Sequence, residues 1–522
     1  MAATTTSLMS GPRSGLPSPS HTTPVRMTGP WRNALEGAAS AVCAVVAMAA
    51  VSALALGLLG AGSYGSLWPL TMAVTAMAVG GPVAADPAAS PDTGGMGGLA
   101  SLFGGGGGGL GPSMSGSADV MPLGVTLVGA IVLWVAFSWR LSHGRRRVRL
   151  TGGALAVRAA GAGTAALVVL MIVAALARGT VTLPASATAG MRGSGGDSSG
   201  GGFGGAGGGL ADLFGSGGGP GGLGGLFGGG GTGAQPAMAY HVGVGPAGLG
   251  ALLWVAVVLG VGCLISRRAR LSLGGAPARL RASWGPSLSA VVRTVLVLAA
   301  VPLLAIGFVG AVVGDRGGSV AGGTLLLAPN ALVAFLTLGV GSSWTAAVHP
   351  VQSDSTNPLA AIMGALSGGA ADGRQQDRVA SLGSASVGGW PVWLMALMVS
   401  GLILTACAYR AARTTRPGHE VPLLPWRGPL AGHLAMAERI GVVTALVLGA
   451  GVWAAGVSGH FGFSMFGSEM GGMRGELSGS VLRTVVFGLL VGSLAGFAGS
   501  LLARTRGRRG PMTVEPYDRR AL

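Results

Sequence analysis

Apolar residues in this chain come in blocks separated by Gly, Ser, Pro and Arg. Eight blocks, at 38–60, 121–139, 154–176, 242–265, 288–313, 390–408, 433–457 and 481–502, are each near the roughly 20 residues that cross a 30 Å hydrocarbon core as a helix. Two further blocks are shorter or broken. Residues 67–79 carry Pro69 near the start and stop at a Gly-Gly-Pro, and 325–340 are interrupted by Pro329 and Asn330. Both are expected to enter or lie along one leaflet without crossing. Block 38–60 exceeds the 7–15 apolar residues of a secretory signal and follows a polar tail, so it reads as a retained first span. Composition agrees: half of the 522 residues are apolar, 9% are charged, and the mean hydropathy is +0.63. That excludes an ordinary soluble surface.

The order of blocks repeats. Trp31-x-x-x-Leu35 and Trp284-x-x-x-Leu288 each open a span. LWPLTMAVTAMAVGGP (67–82) then faces LAPNALVAFLTLGVGS (327–342), with Pro69 opposite Pro329. The spans starting near Pro122 and Pro391 both exit into arginines, and Gly161 and Thr164 fall opposite Gly441 and Thr444. This pattern predicts an all-α integral membrane protein built as two parallel four-helix repeats, 31–270 and 271–510, each with one extra short segment. Residues 1–30 and 511–522 are expected as polar tails. Four spans per repeat return the chain to its starting side, so the repeats are related by an axis along the membrane normal.

Charge orients the spans. All 33 basic residues are arginine, clustered at 140–149, 267–281, 410–427 and 504–509 beside apolar blocks. With the N-terminus inside, cytoplasmic segments hold 26 Arg and five acids, while outer segments hold seven Arg and 11 acids. This is the positive-inside pattern, and it predicts an inner-membrane protein with both termini cytoplasmic. The partner implied by the net charge of +17 is the anionic headgroup layer. Basic residues are not interleaved with aromatics, which argues against nucleic acid. The outer segments 82–118, 190–235 and 342–389 are rich in Gly, Ser and Pro and are expected to be mobile.

Chemistry-bearing patterns are sparse. The seven histidines have no His-x-x-x-His spacing, no phosphate-binding loop ends in Gly-Lys-Ser, and Gly196-x-Ser198-x-Gly200 lies in a Gly-rich loop and not at a strand-to-helix turn. Cys43, Cys263 and Cys407 sit in different apolar blocks, as packing residues do. No enzyme, cofactor or metal is therefore predicted. The candidate interhelical polar contacts are Arg158, Glu438 and Arg439, at corresponding points of the two repeats. A salt bridge joining the halves there is one expectation, and snorkelling to the headgroups the other. Gly488, Gly492 and Gly496 form a small-residue face for close helix packing.

The arginine-only, Gly/Ala-rich chain with paired hydrophobic halves and glycine-rich outer loops resembles the streptophobe family, hydrophobic polytopic membrane proteins of high-GC bacteria. The resemblance covers most of the chain and implies membrane localisation and helical architecture, with no assigned activity. Two functions follow as expectations. One is a permease-like protein with a pathway between the halves, lined by the breaks at Pro69, Pro329 and Asn330. The other is a non-transporting membrane scaffold or sensor.

Overall fold

The computed structural model describes residues 29–87, 113–143, 152–182, 237–265, 275–312, 315–351, 378–384, 386–387, 389–414, 430–465 and 468–507. Its helices are α1 (Pro30–Leu58), α2 (Leu67–Met77), α3 (Leu123–His143), α4 (Gly152–Leu176), α5 (Val244–Ile265), α6 (Gly275–Val312), α7 (Asp315–Val340), α8 (Val392–Thr414), α9 (Ala431–Ala455) and α10 (Val481–Gly507). All eight predicted spans are helical. Eight helices are long and apolar enough to cross a membrane by their described residues, a set that includes Gly318–Val340 in α7. The described apolar part of α3, Leu123–Trp139, is shorter, although that helix continues to His143. This composition is compatible with a polytopic membrane protein. The two polar tails, the 190–235 loop with Gly196-x-Ser198-x-Gly200, and most of the inter-span arginine clusters lie outside the described residues.

Two expectations are corrected. The first is the all-α class. Eight strands, β1 (Val83–Pro87), β2 (Ser113–Val120), β3 (Gly179–Thr182), β4 (Ala237–Val242), β5 (Trp344–Val351), β6 (Arg378–Ser381), β9 (Val457–Met465) and β10 (Ser468–Gly479), form one antiparallel sheet, while β7 (Ser386–Val387) and β8 (Trp390–Pro391) form a small hairpin. The ends of the 82–118 and 342–389 segments are thus strands, β3 and β4 flank the 190–235 segment, and His349 lies on β5 opposite Arg474. Ala, Gly and Ser are weak β-formers, so local propensity did not announce these strands. Pairing with neighbours held at fixed spacing by helix ends supplies what propensity lacks.

The second correction concerns Pro329. It lies inside α7, which runs 26 residues without interruption. Proline removes one N–H and frees the carbonyl of Leu325 four residues earlier. That carbonyl stands against the backbone of Gly124 on α3, where a Cβ would lie 1.9 Å from it. Close packing of an apolar helix on glycine keeps α7 continuous across the proline. By contrast α2, with 11 residues, is as short as its sequence suggests.

Every strand of the large sheet except β6 follows or precedes a helix end within a few residues, so the sheet rests on one end of the bundle. The C-terminus of α1 lies at that end too, because Gly65 just beyond it bridges to Val181 on β3. Helices α1, α4, α6 and α9 run toward the sheet, and α3, α5, α8 and α10 run away from it. The course of α7 is different. Its start packs on the last turn of α1, Gly318 near the Leu58 carbonyl and Gly322 near that of Ala55. Its middle meets the start of α3, and its end meets Ser400 and Ala396 near the start of α8. The contacts of its start and of Asn330 are at sheet-facing helix ends, whereas Leu332 and Leu336 pack among Leu404, Leu448 and Ala495, farther along α8, α9 and α10. Thus α7, about 39 Å long at 1.5 Å per residue, runs along the sheet side at its start and into the second-half helices near its end.

Interior packing is carried by small residues. Gly37 and Gly161 bring α1 and α4 into backbone contact, with Cβ positions 1.9 Å from the Arg158 carbonyl and 2.3 Å from that of Ala34. On α10 the ladder of Gly488, Gly492 and Gly496 faces Ala445, Thr444 and Ala437 of α9, as a small-residue face requires. Exposed tryptophans stand at two levels. Trp31 and Trp139 are at the end away from the sheet, and Trp68, Trp390, Trp393 and Trp453 are at the sheet end. Such belts mark the two interfaces of a bilayer.

Candidate functional site

The sheet is the feature with a chemistry of its own. Its strand order is β3-β4-β1-β2-β9-β10-β5-β6. Strands one to four come from the first half of the chain and the rest from the second. The halves share their register. In the first, β1 and β4 pair Val83 with Val242 and Ala85 with Tyr240, and β3 places Gly179 opposite Tyr240. In the second, β5 and β10 pair Trp344 with Gly479 and Ala346 with Leu477, and β9 places Val457 opposite Leu477. The residues leading into these strands match as well. Gly243 N–H donates to the Pro82 carbonyl at 3.0 Å, and Ser480 N–H to that of Ser343 at 3.1 Å. Helices α2 and α7 end alike, with positive φ at Gly80 (89°) and Gly341 (104°). The next N–H, of Gly81 or Ser342, bonds the carbonyl five residues back, on Ala76 or Thr337. This is a Schellman-type cap, for which glycine is favoured because only it enters that backbone region freely.

Between the halves, β2 and β9 pair over eight residues from Ser113↔Ser464 to Val120↔Val457. The alternation of strands then gives the sheet two faces. Tyr240, Val242, Trp344 and Val457 are buried toward the helix ends. The opposite face carries Asp86, Ser117, Asp119, His241, His460, Arg474, Glu476 and His349. His241 Nδ1 lies 3.4 Å from the Asp86 carboxylate, an exposed pair linking β4 to β1. Burial pushes the Tyr240 phenol above its ordinary range, and its hydroxyl packs beside Gly179.

A second joint lies beneath the sheet. Asn330 of α7 is buried, and both ends of its amide are used: Oδ1 accepts from Leu123 N–H at 3.0 Å and Nδ2 donates to the Met121 carbonyl at 2.8 Å. It clasps the β2–α3 corner of the other half. Trp344 anchors the far end of α7 by donating its indole N–H to Thr337 Oγ1 at 2.9 Å, and Thr484 Oγ1 donates to Ser342 Oγ at 2.7 Å.

The remaining predicted site residues are at the other end of the bundle. Arg158 of α4 is buried and pairs with Glu36 of α1 at 3.6 Å, while its guanidinium stacks 4.8 Å over the Phe137 ring of α3. Glu36 belongs to the same half of the chain as Arg158. Arg439 is buried on α9, and Glu438 adjoins it. Sequence reading did not single out Glu36 as this partner, because the α1–α4 contact that Gly37 and Gly161 permit is tertiary. His433, also at this end, shares a 2.7 Å hydrogen bond with Ser500 of α10. Of the three predicted pathway breaks, Pro69 lies in the first turn of α2, Pro329 is helical and buried, and Asn330 is the clasp. The cysteines are free thiols. Among the described residues no group of three His, Cys, Asp or Glu could hold a metal ion.

No protein-family model, curated protein or solved structure matches the chain.

Proposed function

We propose that this chain is a non-transporting scaffold of the cell membrane: two parallel four-span repeats hold one continuous β-sheet over the outer surface, with the arginine-rich ends and both termini in the cytoplasm. The common register of the two half-sheets and the matching helix caps support a tandem duplication. The arginine clusters follow or precede helix ends opposite the sheet, which supports a cytoplasmic, headgroup-facing position for that end. The architecture also fits the resemblance to streptophobes.

The observation that carries this reading is the β2–β9 joint. A carrier working between its halves must part them on each side in turn. Parting them on the sheet side would break an eight-residue ladder, at about 0.5–1.5 kcal/mol net per hydrogen bond, and release the Asn330 clasp. The total is comparable to the stability of a whole domain, about 5–15 kcal/mol. A seam that strong suits a fixed surface. Among the described residues, the buried basic side chains Arg158, His433 and Arg439 are near the end of the bundle opposite the sheet, not at the middle of the helices, where coupling ions bind in carriers.

The test uses single cysteines at Leu133 and Val443, buried halfway along α3 and α9, in a background lacking the native three. Impermeant thiol reagents applied to either side of sealed vesicles should leave both unlabelled. Labelling of either from an aqueous side would establish a water-filled pathway and restore the permease-like reading.

A further inference from the structure

The joint between the half-sheets is head-to-tail: β2, the last strand of the first half-sheet, pairs with β9, the first strand of the second. A head-to-tail contact leaves a complementary pair of surfaces at its two ends unless rotation closes the ring. Within one chain the ring does not close. The sheet ends at β3 on one side and β6 on the other, with no pairing between them among the described residues. The shared register shows what these edges are. β6 occupies in the second half the place of β2 in the first, since Ser381 faces Thr345 as Ser117 faces Ala84. Likewise β3 holds the place of β9, Gly179 facing Tyr240 as Val457 faces Leu477. The two terminal strands are therefore second copies of the two strands that already zip together inside the molecule.

We propose that a second copy of this chain continues the sheet, with β6 of one copy pairing with β3 of the next in the register of the β2–β9 joint. That register, carried over residue by residue, sets Gly383 opposite Thr180 and Leu382 opposite Val181, as Asp119 faces Ser458 and Ala118 faces Gly459. The side chains along both edges reach solvent. Val379, Ala380, Ser381 and Leu382 are exposed, and so is Thr180. An unpaired edge is a ready template for a further strand, and proteins usually blunt it with charge, proline or a covering loop. Among the described residues two features adjoin these edges. On β3 there is the bridge from Gly65 to Val181, which a longer ladder would replace, and on β6 the chain turns into a short 3-10 segment at Leu382–Ser384. Because both edges stand on the same side of the same bundle, copies related by an axis along the membrane normal can join without leaving the bilayer.

The inference rests on the duplicated architecture and not on the absence of transport. Its test is disulfide trapping in membranes, again without native cysteines. One tagged copy carries Thr180→Cys, and a differently tagged copy carries Gly383→Cys. A mixed-tag disulfide dimer on mild oxidation, reduced at least tenfold when either cysteine is moved to Gly153 at the opposite end, is the expected result. No mixed dimer, or a link that forms only within a chain carrying both cysteines, would overturn the proposal. Asp119→Cys with Ser458→Cys in one chain is the control for the internal joint. If that pair also fails to link, the template itself is absent and the duplication reading falls with it.

Discussion

At the scale of single residues, space and charge decide separately. Gly161 has no room for a side chain against the Ala34 carbonyl, whereas Gly153, one helix face away, has nothing within 4 Å of a built Cβ. Gly161→Ala should therefore destabilise the protein by about 1–3 kcal/mol through overpacking, and Gly153→Ala should be neutral or slightly stabilising. Thermal melts of the two purified variants in one detergent would separate these outcomes. The Glu36–Arg158 contact makes a second case. A buried guanidinium deprived of a carboxylate costs more than the pair contributes, because desolvation is no longer offset. Glu36→Leu should thus lower the melting temperature, and adding Arg158→Met should recover part of the loss. If the double variant melts below the single one, the ion pair is not what holds Arg158 in place.

At the scale of elements, α7 has the composition of a span, while its contacts lie partly at the sheet side. Its length and apolarity alone would let it traverse the bilayer, yet its first turn and Asn330 meet sheet-side ends of α1 and α3, while Leu336 packs among Leu404, Leu448 and Ala495 farther along α8, α9 and α10. Cysteines at Ser319 and Ser343, near its two ends, should both react with an impermeant reagent added outside intact cells. Reaction at one only would mean that α7 crosses. The Asn330 clasp belongs to the same argument. Asn330→Leu strands the Leu123 N–H and Met121 carbonyl, and should cost about 1–3 kcal/mol while leaving the helices intact by circular dichroism.

At the scale of the whole molecule, the alternation of eight helices with a common sheet side leads to one topological expectation. Reporter fusions after Arg32 and at Leu522 should both report the cytoplasm, and an external signal from either would reverse the charge-based orientation. The sheet adds a second. Backbone amides of β2 and β9 at the joint should exchange with solvent as slowly as those of β10 and β5 within one half. Fast exchange confined to β2 and β9 would mean that the halves part.

The eight apolar helical blocks and the brevity of α2 were legible in the sequence because each depends on a run of neighbouring residues. A span needs about 20 apolar positions, and arginines beside it need only a headgroup layer to orient it. The glycine ladder of α10 was legible for the same reason: its spacing is a local helical period. The sheet was not. Its strands are short, poor in β-branched residues and split between distant parts of the chain, so their stability comes from partners such as Gly459 for Ala118 that no local pattern reveals. Pro329 was misread because propensity prices a proline by its missing bond, whereas packing on Gly124 decided whether the helix went on. That Glu36 reaches Arg158 was likewise decided by which helices approach closely. Local hydrophobicity set the number and length of the apolar helices; long-range pairing alone determined that the strands of the two halves are sewn into one sheet at their ends.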